Sequence, residues 1–311
     1  MNENVKIISG NSNLPLTRKI CEYLGIPLCD AEIKKFSDGE VSVKINENIR
    51  GKDVFIIQST NPPAENLLEL LIILDAAKRS SAERITAVIP YYGYARQDRK
   101  DQPRVPITSK LVANLITVAG ADRMLTMDLH SAQIQGFFDI PSDHLFSNPV
   151  FYDYFATFKS QDWVVVADLG SIKMVRNFAK RLAMPFAVLD KKRHVANHVE
   201  ILNVIGEVEG KNIVIRDDIV DTAGTLTQAA EFLVKQGARE IYACCTHAVL
   251  SGRSVELIEK SPLKKVIISD TIDLGHKKLS NKFEMVSVGK IFGEAIKRIH
   301  QGESVSSLFE Y

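Results

Sequence analysis

Two adjacent carboxylates followed by a turn of small residues carry the sharpest chemical signal in this sequence. In IVIRDDIVDTAGTLTQAAEFL, residues 213–233, an apolar strand is expected to deliver Asp217 and Asp218 at its C-terminal end. Asp221-Thr222-Ala223-Gly224-Thr225 then leads into a helix. In an open α/β sheet, ligands bind outside the carboxyl ends of the strands. Small residues let the backbone approach an anion. The unpaired amides of a helix start, with the Thr222 and Thr225 hydroxyls, can hold a phosphate. Carboxylates repel phosphate, so the acidic pair suits sugar hydroxyls, or a metal bridging to a diphosphate. One short loop thus matches a molecule with a phosphate at one end and hydroxyls at the other. The plainer reading, a surface turn with a helix cap, leaves the preceding strand and the acidic pair unexplained.

Other clusters are chemically suggestive but ambiguous on their own. Arg96-Gln97-Asp98-Arg99-Lys100 follows an apolar strand, with Tyr91, Tyr92 and Tyr94 beside it. Arginine stacks on a base or clamps a polyphosphate, and glutamine can bond a base edge. A solvated charge run is the alternative. FSDGE at 36–40 is by itself a β-turn signal. His130, in MDLH after an apolar strand, reads as a structural histidine as readily as a ligand. DKKR at 190–193 opens what reads as a loop, 190–200, rich in cations.

These residues need a scaffold, and the pattern supplies one. Short β-branched runs alternate with helical stretches: Val5–Ser9, then a helix from Asn11 to Leu24 stopped by Gly25, then Val54–Ser59, Asn66–Lys78, Ile85–Ile89, Ile107–Val118 and Met124–Met127. The scheme repeats through Trp163–Ala167, Ile172–Leu182, Phe186–Leu189, Ile213–Ile215, Thr225–Gln236, Ile241–Cys245, Ser254–Glu259 and Val266–Ile268, with a last helix at Lys290–His300. Uncharged strands alternating with helices predict parallel sheets covered on both faces. Two blocks predict two α/β domains, residues 1–145 and 146–311, joined near Ser142–Pro149, with the last helix and the tail through Tyr311 able to return to either domain. The 311 residues allow two ordinary domains. Lys plus Arg number 39 against 38 Asp plus Glu, so no global field draws nucleic acid or an anionic membrane. No apolar run approaches a membrane span, and MNENVKIISG does not read as a signal peptide, so a cytoplasmic chain is expected. Cys21, Cys29, Cys244 and Cys245 fit no metal spacing and read as reduced packing residues.

The 213–225 segment resembles the phosphoribosyl-binding motif of type I phosphoribosyltransferases and of phosphoribosyl pyrophosphate synthetases. The remaining motifs decide between the two. FSDGE, YYGYARQDRK at 91–100, TMDLHSAQIQGFFDIPSDHL at 126–145, DKKR and GESVSSLF at 302–309 all resemble the synthetase (ribose-phosphate pyrophosphokinase) family, in its phosphate-activated class. The likeness runs from about Val5 to Phe309. It implies an α/β fold of two type I phosphoribosyltransferase-like domains, each a mainly parallel sheet flanked by helices. It also implies transfer of a diphosphate from ATP to ribose 5-phosphate.

By that resemblance, Phe36, Asp38, Gly39, Glu40, Arg96, Gln97, Asp98 and Arg99 bind ATP. Arg193, Asp217, Asp218, Asp221, Thr222, Ala223, Gly224 and Thr225 bind ribose 5-phosphate. Lys191 and Arg193 are the catalytic cations. His130 and Asp168 attend Mg²⁺, with Asp128 in the same stretch as His130. No general base stands out, and Asp221 is the nearest candidate. Arg50, Ser81, Ser304 and Ser306 match a regulatory site for inorganic phosphate and ADP. Self-association as a homohexamer built from dimers is implied too. One departure stands out: where the family carries Pro-Asp-x-Gly-Gly, this chain has Ala167-Asp168-Leu169-Gly170-Ser171, and a Cβ at Ser171 restricts close backbone approach. A catalytically weak or silent homologue with a regulatory role is therefore the rival reading. A plain phosphoribosyltransferase, which needs no ATP elements, is a second.

Overall fold

Alternating apolar strands and amphipathic helices build two units, each around its own largely parallel sheet. The structure, a computed structural model, describes residues 4–158, 162–168, 172–195 and 198–308, the side chains of residues 168, 173, 191–195 and 198–202 excepted.

Unit 1 runs to Phe146 and takes in Thr271–Asp273 and the stretch from Val288. Its elements are β1 (Val5–Ser9), α1 (Leu14–Leu24), β2 (Ala31–Lys35), β3 (Val41–Ile45), β4 (Asp53–Ile57), α2 (Glu65–Arg79), β5 (Arg84–Ile89), α3 (Thr108–Ala119), β6 (Arg123–Met127), β7 (Ser142–Leu145) and α8 (Gly289–Gln301). The five-stranded sheet has the order β1-β4-β5-β6-β7, all parallel. β4 is buried along its whole length, as a strand covered on both faces must be. Helix α1 shows how local sequence fixes an element. The Asn13 side chain accepts the Leu16 amide at 3.2 Å, Pro15 sits in the first turn, and Gly25 closes the helix at φ +67°. Leu16, Ile20 and Leu24 form its buried face, as their spacing predicts. Helix α8 packs on α1 so closely that a Cβ at Gly293 would overlap the Tyr23 ring.

Unit 2 comprises Ser147–Asp270 and Leu274–Ser287. It contains α4 (Asn148–Phe155), β8 (Trp163–Asp168), α5 (Ile172–Arg181), β9 (Phe186–Val195), β10 (His198–Ile205), β11 (Asn212–Val220), α6 (Gly224–Lys235), β12 (Ile241–Ala248), α7 (Ser254–Lys260), β13 (Leu263–Ser269) and β14 (Phe283–Val286). The sheet order is β10-β9-β8-β11-β12-β13-β14, parallel except for the antiparallel β9–β10 pair. Phe151, Phe155, Trp163, Phe178 and Val214 lie in its core. All four cysteines are free and buried, the packing role read from the sequence.

Two sequence readings need correction. The stretch 190–200 is not a simple loop: β9 continues through Val195 and β10 pairs with it antiparallel, Lys191 with Ile201 and Arg193 with Val199. β11 does not end at Ile215 but runs to Val220, because its pairing with β12 persists from Ile213↔Ile241 to Val220↔Ala248. The Ser142–Pro149 punctuation, where the chain passes from unit 1 to unit 2, is strand β7 and the first turn of α4, and Pro149 is tolerated there because the first helical amides need no partner. The turn read at FSDGE is there, as the tip of a β2–β3 hairpin whose half-exposed strands carry no apolar run.

Candidate functional site

In unit 2 the chemistry gathers where β11 meets α6. Asp217 pairs with Cys245 inside the strand, and the Asp218 amide donates to Asp217 Oδ1 at 2.9 Å. Both aspartates are half-buried, so the pair lies within the strand, three and two residues before its end. Asp221 follows at the strand's end and is tethered from β12's far side. Its carbonyl accepts the Ser251 amide at 3.1 Å, and its carboxylate accepts the Ser251 hydroxyl. The chain then turns through Ala223, held at φ +63° and ψ 0°, a left-handed conformation that costs a residue bearing a Cβ about 1–2 kcal/mol. Backbone strain of this kind concentrates at ligand-binding turns.

Helix α6 begins at Gly224, and no side-chain hydrogen bond caps it. By helix geometry the first amides have no carbonyl partner within the helix. They carry the positive end of the helix dipole. Thr222 and Thr225 are exposed on either side of Gly224, and a Cβ on Gly224 would approach nothing closer than the Thr222 hydroxyl, at 3.9 Å. This turn has the donors, the dipole and the room for a phosphate. Carboxylates for hydroxyls lie just before it.

Sequence reading missed Arg216. It lies one residue before the acidic pair, 1% exposed, the largest fully buried side chain in the protein's described residues. Its guanidinium donates to the Ser147 hydroxyl at 3.0 Å, the Thr246 hydroxyl at 2.9 Å and the Asp217 carbonyl, and sits 4.7 Å from the centre of the Phe151 ring. A charged residue interrupting the apolar run IVI was the available signal.

Asp168 closes β8, its backbone paired with Leu189 of β9. The side chains of Asp168, Lys191 and Arg193 lie outside the described residues, as do Leu169, Gly170 and Ser171.

In unit 1 the hairpin tip is a tight turn. The Phe36 amide donates to Glu40 O at 2.8 Å and the Gly39 amide to Phe36 O at 2.9 Å, with Gly39 at φ +96°, which a side chain would strain. The Asp38 carboxylate accepts the Glu40 amide at 3.0 Å, and Phe36 stands 58% exposed. The polar stretch after β5 is closed at its base. The Ser109 amide donates to Gln97 O at 3.1 Å, the Thr108 hydroxyl meets Gln97 Oε1 at 2.5 Å, and the Tyr92 hydroxyl donates to Ser109 O at 2.8 Å. Arg96, Gln97 and Arg99 are exposed and Asp98 half-buried. Gln97's side-chain oxygen therefore already has a partner, which sequence alone could not show.

Beyond β6 the chain turns at Asp128, φ +38°, a buried carboxylate next to Leu129 and the exposed His130. Among the described residues no three His, Cys, Asp or Glu side chains cluster as a metal cage. Of the residues matched to a regulatory site, the structure brings two together: the Gly51 amide, next to Arg50, donates to Ser81 O at 2.9 Å. Ser304 and Ser306 bond each other at 3.0 Å, and Arg298 donates to Ser304 O at 3.2 Å. Among the described residues no hydrogen bond ties that serine pair to Arg50 or Ser81.

Comparison with known proteins extends over the whole chain. A family profile described as the N-terminal domain of ribose phosphate pyrophosphokinase matches residues 5–120, and one described as a phosphoribosyl synthetase-associated domain matches residues 189–310. The ribose-phosphate pyrophosphokinase of Chlorobaculum tepidum is 57% identical over 100% of this chain and 96% of its own length. That of Caldanaerobacter subterraneus subsp. tengcongensis is 55% identical over 98% of each. The crystal structure of phosphoribosylpyrophosphate synthetase from Mycobacterium smegmatis superposes with a TM-score of 0.90 at 34% identity, covering 96% of this chain and all of that one.

Proposed function

This chain belongs to the ribose-phosphate pyrophosphokinase family, and on that premise we infer that it transfers the β,γ-diphosphoryl group of ATP to the C1 hydroxyl of D-ribose 5-phosphate. The products are 5-phospho-α-D-ribose 1-diphosphate and AMP. The carrying observation is identity of 57% along the entire chain with a protein of that name. The silent-homologue reading gains nothing from these relatives.

The reaction forms a bond from the C1 oxygen to the β-phosphorus. The bond from that phosphorus to the α,β-bridging oxygen breaks, AMP leaves with the bridging oxygen, and the hydroxyl proton is released. The phosphate of ribose 5-phosphate is assigned to the amides and hydroxyls of Thr222–Thr225. The absence of a side-chain cap on α6 supports this. Asp217, Asp218 and Asp221 take the sugar hydroxyls, with Asp221 nearest C1 as the candidate base. Lys191 and Arg193 supply positive charge where it develops on the transferring group. Loss of one such charge lowers the rate by about 10²–10³. Phe36, Asp38, Gly39 and Glu40 with Arg96, Gln97, Asp98 and Arg99 form the ATP elements. The bond from Thr108 makes Gln97 also a holder of its own loop.

Magnesium is the assigned cofactor, held near His130 and Asp168. A carboxylate and an exposed imidazole acting through water fit an ion that keeps its waters and takes phosphate oxygens as ligands. Bound there, it neutralises charge on the polyphosphate. A homohexamer built from dimers is the assigned assembly. Leu111, Leu115 and Val118 form an exposed apolar stripe on α3 that a second copy of the chain would cover. Arg50, Ser81, Ser304 and Ser306 are assigned to inorganic phosphate and ADP as effectors, and an unchanged rate with and without phosphate would remove that assignment. The assigned location is the cytoplasm; among the described residues no helix is long and apolar enough to cross a membrane. Release of AMP that requires both substrates tests the reaction itself.

A further inference from the structure

The turn that carries His130 is clamped by β7, and the clamp includes a side chain given no role so far. The Asp128 amide donates to Leu145 O at 3.0 Å, and the Leu129 amide donates to His144 Nε2 at 2.8 Å. His144 is 6% exposed, lies tilted against Phe146 with ring centres 4.7 Å apart, and has the Gln135 amide nitrogen 3.3 Å from its Nδ1. A ring nitrogen that accepts an amide hydrogen must hold a lone pair, so Nε2 carries no proton. Both bonds grip the segment where Asp128 adopts φ +38°, a conformation that needs surrounding structure to hold it. One residue later the chain emerges and His130 is exposed.

We propose that His144 is a positioning residue: by accepting the Leu129 amide it fixes the turn that presents His130 to the metal-bound polyphosphate. The proposal rests on the assignment of His130 given above. Outer groups that orient a metal-associated residue typically matter by 10–100-fold in metal affinity or activity. His144 touches only the backbone of Leu129, yet that amide is adjacent to the working residue. Glutamine can place an oxygen near the position of Nε2, whereas asparagine and leucine cannot.

The test uses the full chain and four variants: His144→Leu, His144→Asn, His144→Gln and His130→Ala. Two readouts are taken on each, hydrogen exchange of the Leu129 amide and the Mg²⁺ concentration giving half-maximal rate, with thermal unfolding as the control for folding. The clamp predicts faster Leu129 exchange and a roughly tenfold rise in half-saturating Mg²⁺ for the leucine and asparagine variants, both recovered to within about threefold by glutamine. Should leucine fail to fold, the asparagine–glutamine comparison carries the test. Unchanged Leu129 exchange in the folded leucine or asparagine variant overturns the proposal. So does an unchanged Mg²⁺ requirement in those variants while His130→Ala shifts it. If His130→Ala itself leaves the Mg²⁺ requirement unmoved, the His130 assignment fails and takes the proposal with it, whatever the exchange data show.

Discussion

Replacing Arg216 by alanine is expected to destabilise unit 2 by about 3–5 kcal/mol, the usual cost of removing one partner from a buried charged network. The structure allows the figure to be built up. The lost Cγ and Cδ methylenes contribute about 0.8 kcal/mol each. The Asp217 carbonyl, in a part-buried setting, loses a donor, which costs about 1–3 kcal/mol. The Ser147 and Thr246 hydroxyls bond each other at 2.7 Å and remain satisfied, so they add little. Arg216→Met separates the terms. It keeps the stem against Phe151 and restores the buried methylenes but still leaves the Asp217 carbonyl without its donor, so its cost should fall to about 1–3 kcal/mol. Urea unfolding of both variants, followed by the Trp163 fluorescence of the unit 2 core, measures the difference. An alanine variant within about 1 kcal/mol of the native protein would refute the reasoning. So would a methionine variant as unstable as alanine, since the charge would then be the stabilising part. Because Arg216 grips the carbonyl of Asp217, the methionine variant should also raise KM for ribose 5-phosphate more than it lowers kcat.

Other perturbations follow from single contacts. A Cβ at Gly93 would overlap the Thr60 carbonyl, which cannot retreat because the Thr60 amide is bonded to Tyr91 O at 2.9 Å; Gly93→Ala should lower stability by about 1–3 kcal/mol, checked by thermal unfolding. Burial pushes the thiols of Cys21 and Cys29 up to about 11 and about 12, and that of Cys244 to about 12, so the native protein should release no rapid equivalent to a disulfide reagent at pH 8 while the denatured chain releases four. Fast labelling of the native chain would show the burial to be wrong. Glu47 is held below the usual carboxylate range by the Lys6 ammonium and the Asp30 amide, the latter at 2.6 Å. A depressed carboxylate contributes fully above its unfolded pKa, about 4.3, and the contribution fades as pH falls through the lower folded value. Glu47→Gln should therefore narrow the gap in melting temperature between pH 7 and pH 3, and an unchanged gap would argue against the ion pair.

Much of this architecture was legible because parallel strands buried on both faces must be apolar runs, and such runs stand out at β4, β5, β6, β8 and β13. What escaped notice lies where that rule lapses. AEIKK and VSVKI alternate weakly and make a half-exposed hairpin, so only the turn between them was visible. DKKRHV carries too many cations to read as a strand, yet it pairs antiparallel with β10 at the sheet edge. The phosphate turn was readable because glycine, threonine and aspartate at that spacing answer a specific demand on backbone and charge. The contacts of Arg216 and His144 were not, even though a charge after the run IVI marked the first position, since their partners are separated from them in sequence: Thr246 lies 30 residues away and Leu129 lies 15. No local pattern encodes a contact that the fold alone creates.

The most direct measurement is AMP release by the purified chain with MgATP, in the presence and absence of ribose 5-phosphate, repeated with Lys191→Ala. The native protein should form AMP only when the sugar phosphate is present, in step with 5-phospho-α-D-ribose 1-diphosphate, and the variant should be slower by about 10²–10³. AMP formation indifferent to ribose 5-phosphate, or none at all from folded native protein, would contradict the assigned reaction. A variant as fast as the native enzyme would contradict the assignment of Lys191.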